Sequence, residues 1–269
     1  MNIFKSFLIG LKKAIKRFIK NIKRFISAPK KITGHLLYFI LLFVMNLFSG
    51  KKENLPNLGS NHCLIDKITI SEEILKRMLS DLNKKNEMNL LEKSFKYYVQ
   101  KYNMDYLKDV THAWGFDRFY YINFFDKNFG TTIKKIYGNF NYRIENIWLY
   151  KTLNHNNSKS ENLNSKFHVD NDAPGALKII IYLCVVDKNN GPFEYLEEVS
   201  KKKISVLGNI GKTIVFNQNK LMHSGSATLN KERIALSFLV FPTPRKKISY
   251  TKNKPANAIF TFNPLTKYS

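Results

Sequence analysis

Acidic residues are missing from the first fifty positions, which carry ten Lys/Arg and no Asp or Glu. A core-packed surface helix normally mixes both signs, so this absence points to an anionic surface as the partner of the segment. Cysteine is scarce: Cys63 and Cys184 are the only two, and neither sits in a CxxC pair. A disulfide framework is therefore not indicated and a reducing compartment is favoured, with Cys184 read as a small buried hydrophobe in an apolar run. No uninterrupted apolar run reaches the ~20 residues that a spanning helix needs. Internal repeats are absent too.

The chain is rich in aromatics and basic charge, with 21 Phe, 14 Tyr and a formal net charge of +24 over 269 residues. A real core is therefore available. Residues beyond 50 retain 34 basic against 20 acidic side chains, so basic charge is general but undiluted only at the N-terminus. From Ile3 to Ile26, Ile, Phe and Leu recur at helical spacing opposite an all-cationic face, which suits the plane of an anionic membrane. Nucleic acid is disfavoured, because that face lacks side chains placed for bases. Pro29 ends the helix, and Leu36 to Phe48 forms a second apolar run interrupted by Asn46. A signal peptide fits poorly, since the basic region is too long and no cleavage site is clear. The expectation is a cytoplasmic protein attached peripherally to the inner face of a membrane by residues 1–50, with a single span as the alternative.

Residues 51–269 form the second unit, a helical part over 62–137 followed by a β core over 140–245. Lys51 to Asn61 reads as a linker. Ser71 is an N-cap with Glu72 and Glu73 in the first turn, and further helices are expected over Leu90–Tyr102 and Gly130–Ile136. Strands are expected at Ile147–Tyr150, Ser165–Asp170, Leu177–Val186, Ile204–Leu207, Thr213–Phe216 and Arg233–Phe241, with Asp187 to Pro192 as a turn. Helices first and strands second make an α+β domain whose helices back an antiparallel barrel. The polar stretch His155–Lys166 is a loop at the site's rim.

Chemistry concentrates in four residues. Residues i and i+2 of a strand share a side, so His168 and Asp170 project together. Imidazole and carboxylate suit Fe(II), although they also accept other divalent ions. His223, in the small-residue turn Leu221–Ser226, supplies a second imidazole. Two His and one carboxylate occupy one face of an octahedral ion and leave the other open. Arg233 opens a strand on which Arg233, Ala235 and Ser237 share a face. A buried guanidinium there calls for an anion, and a dicarboxylate would supply one in bidentate contact.

The chain resembles the Fe(II)- and 2-oxoglutarate-dependent dioxygenases, in particular the phytanoyl-CoA dioxygenase-like branch. The resemblance runs through His168-Val169-Asp170-Asn171-Asp172, Leu177-Lys178, Tyr182-Leu183, Val186-Asp187 and Asn190 to Tyr195, and resumes at Gly211–Ser226 and Arg233. It covers the C-terminal third to half well, the helical part loosely and residues 1–50 not at all. It implies a double-stranded β-helix (a jelly-roll, cupin-like barrel) with His168, Asp170 and His223 as iron ligands. Arg233 would hold the distal carboxylate of 2-oxoglutarate, and Tyr182 and, more weakly, Ser237 would line that pocket. It further implies consumption of 2-oxoglutarate and O2, with ascorbate as a reductant, and release of succinate and CO2. A small or lipid-like substrate would be hydroxylated. Halogenating relatives carry a small residue where Asp170 stands, so hydroxylation is favoured. Two alternatives stay open: a cupin-type metal barrel that does not use 2-oxoglutarate, and a catalytically inert basic membrane-binding protein.

Overall fold

The computed structural model describes residues 40, 43–44, 56–83, 110–112, 116–152, 167–170, 172, 175–225 and 231–243. The expected helices over 3–26 and 90–102, and the loop 155–166, lie outside these residues. Of the first fifty positions only Ile40, Phe43 and Val44 are described; they are helical and exposed. Among the described residues no helix is long and apolar enough to cross a membrane.

From residue 56 on, the described chain contains nine strands, two α-helices and a single 3-10 turn (Lys188–Asn190): β1 (Cys63–Lys67), α1 (Glu72–Asn83), β2 (Val110–His112), α2 (Arg118–Ile136), β3 (Asn141–Thr152), β4 (Leu177–Tyr182), β5 (Phe193–Leu196), β6 (Lys203–Val206), β7 (Lys212–Phe216), β8 (His223–Gly225) and β9 (Arg233–Thr243). Six strands form a large sheet in the order β1-β7-β4-β9-β3-β2, and three form a small one in the order β6-β5-β8. All pairings are antiparallel. Two antiparallel sheets with helices packed on the larger one match the expected α+β class.

Period-2 alternation builds both faces of the large sheet. On β4, Leu177, Ile179 and Ile181 pack with Ile147, Leu149, Phe238 and the helices, whereas Ile180 and Tyr182 pack with Phe193, Tyr195 and Val206 of the small sheet. The first layer shields the sheet from solvent, and the second is the interior between the sheets, where the functional residues lie. Each fully buried large apolar side chain contributes roughly 1.5–3 kcal/mol.

Helix α1 begins as its sequence predicts, with Ser71 Oγ accepting from Ile74 N at 3.3 Å. Helix α2 is longer than the expected 130–136. Asp117 caps it, accepting from Phe119 N and Tyr120 N, and Tyr121, Phe125, Phe129 and Ile133 repeat every fourth residue along its buried side. Its first half is so aromatic that local propensity resembles that of a strand, and packing against the sheet overrides this preference. Beyond the expected strands, β1, β2, β5 and β8 are additional. Ser165–Asp170 was expected to be a strand, but in its described part it is not a ladder. His168 makes a single antiparallel bridge to His223, which extends the small sheet by one residue pair.

Candidate metal centre

That single bridge joins two of the three candidate ligands. His168 N donates to His223 O and His223 N donates to His168 O, both at 2.9 Å. Side chains of an antiparallel pair emerge on the same side, so the two rings stand 4.6 Å apart between centroids. Asp170, two residues on, is tied down separately: its N–H donates to Gln218 O at 2.8 Å. The same turn grips the chain beyond. Gln218 Nε2 donates to Asp172 Oδ2 at 2.6 Å, Asp172 N donates to Asn219 Oδ1 at 3.0 Å, and Asn219 Nδ2 donates to Asp172 O at 3.1 Å. These side chains replace the missing strand ladder in setting the direction of the Asp170 carboxylate. They lie outside the expected site, and only their Asn/Gln character beside a histidine motif hinted at a turn that needs fixing.

His168, Asp170 and His223 each offer one ligand atom, all within 4.8 Å of one another. His168 Nε2 is 3.5 Å from Asp170 Oδ1, and His223 Nε2 is 3.8 Å from Asp170 Oδ2. Ligands at right angles, each about 2.1 Å from a small dication, stand about 3 Å apart, so this trio fits one ion with modest closure. Nδ1 of His223 lies 2.9 Å from the carbonyl of Leu221. A carbonyl can only accept, so Nδ1 carries the proton and Nε2 presents its lone pair. Phe216 meets the ring edge-on at 4.8 Å and Phe193 stacks at 5.7 Å, which fixes its plane.

Electrostatics favour the ligating forms. Burial pushes His223 down to about 4, helped by the nearby charge of Lys178, so the imidazole is neutral at physiological pH. Burial alone would raise Asp170, but Lys178 and the two imidazoles outweigh it and hold the carboxyl well below the ordinary carboxylate range. The side chain of His223 is 5% exposed, against 30% for His168 and 25% for Asp170. The open side of the trio therefore lies toward His168 and Asp170.

Arg233 reaches the same interior from β9. Its Nη1 donates to Gly191 O, and its buried Nε has no hydrogen-bond partner among the described residues. A Cβ added at Gly225 would stand 3.3 Å from Arg233 Nη2, so the guanidinium occupies space that this glycine leaves free. Gly225 and His223 share a face of β8, two residues or roughly 7 Å apart. Ser237, on the Arg233 face of β9, is 1% exposed, and its Oγ has no partner in the described chain. Tyr182 is fully buried, and burial pushes its hydroxyl up to about 12. That hydroxyl donates to Val206 O and accepts from Phe193 N, each at 2.9 Å. Tyr182 thus straps β4 to β5 and β6 and presents its ring, with the hydroxyl already engaged.

No family model and no curated protein matches the chain. Among solved structures it is similar to HygX from Streptomyces hygroscopicus with nickel, 2-oxoglutarate and hygromycin B bound, at 11% identity over 71% of this chain and 87% of that one, TM-score 0.45. It is also similar to EctD from S. alaskensis with 2-oxoglutarate and 5-hydroxyectoine, at 9% identity over 72% and 79%, TM-score 0.47. A third is the viral collagen prolyl hydroxylase of Paramecium bursaria Chlorella virus-1 in its 2-oxoglutarate complex, at 13% identity over 68% and 96%, TM-score 0.41. All three hold 2-oxoglutarate. At these identities and TM-scores the likeness carries no argument about activity, which rests on the side chains.

Proposed function

We propose that the chain is a non-haem Fe(II)/2-oxoglutarate-dependent dioxygenase that hydroxylates a small or lipid-like molecule. The observation that carries this reading is the spacing between Arg233 and the metal trio. The guanidinium rests against Gly225, roughly two strand residues, or about 7 Å, from His223. An extended five-carbon chain spans about 5 Å between its end carbons. A dicarboxylate fixed at Arg233 therefore reaches an ion held by His168, Asp170 and His223, and it supplies the partner that the buried Arg233 Nε lacks among the described residues.

His168, Asp170 and His223 would hold the iron through Nε2, a carboxylate oxygen and Nε2, leaving the opposite side accessible. Arg233 would bind and orient the distal carboxylate of 2-oxoglutarate. Phe193, Phe216 and the ring of Tyr182 exclude water from the inner end. Iron bound in this way supplies O2 activation coupled to oxidative decarboxylation of 2-oxoglutarate, giving succinate, CO2 and an oxidised C–H bond. Asp170 fills the carboxylate position, which supports hydroxylation as the outcome. The orphaned Arg233 nitrogen favours this reading over a cupin barrel without 2-oxoglutarate, and the convergent trio favours it over an inert binding protein. The test is addition of Fe(II), ascorbate and 2-oxoglutarate to purified protein. Slow succinate release without substrate is expected, and a complete absence of succinate across a substrate screen would sink the proposal.

The reading extends to location: a cytoplasmic enzyme held on an anionic membrane face by residues 1–50. Ile40, Phe43 and Val44, spaced i, i+3 and i+4 on a helix and exposed, support a lipid-facing stripe. Deleting residues 1–50 is expected to release the protein from vesicles containing phosphatidylserine while succinate release continues. A truncated protein that still pellets with the vesicles at moderate salt would contradict this location.

A further inference from the structure

Lys178 interrupts an otherwise apolar strand and, by alternation with Ile180 and Tyr182, faces the interior. Its Nζ lies 3.7 Å from Asp170 Oδ2 and 5.8 Å from the centroid of the Trp148 ring. The first distance is an ion-pair approach longer than a direct hydrogen bond, and the second is within cation–π range. Side chains that are 29% exposed for Lys178 and 25% for Asp170 place the ammonium on the accessible side of the trio.

Position separates Lys178 from the 2-oxoglutarate end. Its register partner on β9 is Leu239, six residues from Arg233, or roughly 20 Å along the strand. The two side chains therefore start from well-separated places on the sheet, Lys178 approaching the trio beside Asp170 and Arg233 resting against Gly225. Charge makes the same distinction. A bound dication, Asp170, Arg233 and Lys178 together exceed the two negative charges of 2-oxoglutarate by one positive charge. Asp170 also becomes a weaker partner for Lys178 once its charge is shared with the ion. A half-buried cation left in that state favours an incoming anion.

We propose, building on the oxygenase reading, that Lys178 is the specificity residue for the primary substrate. That substrate is an organic anion whose carboxylate or phosphate monoester is held by the Lys178 ammonium, with its apolar body against Trp148. Lys178 thereby directs a C–H bond near the anionic group toward the open side of the metal.

The test uses the full-length protein loaded anaerobically with Fe(II) and 2-oxoglutarate, whose visible charge-transfer band reports the metal's surroundings. Octanoate and octyl phosphate are titrated against octanamide and octanol as neutral counterparts. One or both anions are expected to perturb the band and the neutral compounds are not. Lys178→Gln should weaken the anion response about tenfold or more, and Lys178→Arg should retain it. Iron affinity in Lys178→Gln should be unchanged or tighter, because a cation next to the ion has been removed. A fall in iron affinity would instead mark Lys178 as a prop for Asp170 and overturn the proposal. It is equally overturned if neutral compounds act like the anions, if neither anion perturbs the band, or if Lys178→Gln weakens 2-oxoglutarate itself. Failure of the wild-type protein to form the band would refute the oxygenase reading and this assignment with it.

Discussion

Asp170→Ala is expected to abolish iron retention and 2-oxoglutarate turnover together. Loss of an outer-shell partner typically costs 10–100-fold in metal affinity, and loss of a ligand costs more, so a fall of about 10³-fold is expected. The electrostatics add to this. Asp170 carries the negative charge facing Lys178 and both imidazoles, and without it a dication would enter a site with a net repulsive field. Asp170→Asn keeps the shape and should still lose most of the affinity, which separates charge from packing. Equilibrium dialysis with Fe(II) or Co(II), alongside thermal melting of the metal-free proteins, provides the measurement. Iron binding within threefold of wild type by a folded Asp170→Ala protein would show that the trio is not the metal site.

Arg233→Met should raise the dissociation constant for 2-oxoglutarate by about 10²–10³-fold, the range expected when one member of a buried charge pair is truncated. Iron affinity should stay near wild type, since the guanidinium lies against Gly225 and not against the ligand atoms. Stability of the apo protein should not fall in proportion, because Nε is already buried without a partner among the described residues and its removal lifts a desolvation penalty. Gly225→Val tests the same contact from the other side. A side chain there meets Nη2 at 3.3 Å or closer, and displacement of the guanidinium should weaken 2-oxoglutarate about tenfold with iron unaffected. Titration of 2-oxoglutarate into the iron-loaded proteins under nitrogen separates the two constants. An Arg233→Met protein with wild-type 2-oxoglutarate affinity would place the co-substrate elsewhere.

Local sequence signals named the three residues that converge in the candidate metal centre. The i, i+2 spacing of His168 and Asp170 survives in the structure, although the segment is held by one bridge and by the Gln218–Asn219 turn in place of a ladder. His223 looked like a loop residue because its neighbours are small. It lies on a three-residue strand whose pairing with β5 spans a long stretch of sequence. Such short strands have too few residues to show alternation. Lys178 was visible as the lone charge in Leu177–Val186, but parity alone could not say that its ammonium would stand beside Asp170. Tyr182 was expected to line a pocket; its ring is fully buried between the sheets. Its hydroxyl is engaged by two backbone groups that only folding brings within reach.

The sequence by itself determined the ligand types, their order, the basic N-terminal segment and the alternation that divides each long strand into two faces. These are properties of near neighbours along the chain, governed by charge, chirality and the two-residue pleat. Tertiary structure decided which of those faces met. It set His168 against His223 through one antiparallel bridge, placed Arg233 in the space left by Gly225, and brought the Lys178 ammonium beside Asp170. Those relations depend on the register between strands distant in sequence. Register is selected by burial of whole faces, so no local pattern of residues contains it.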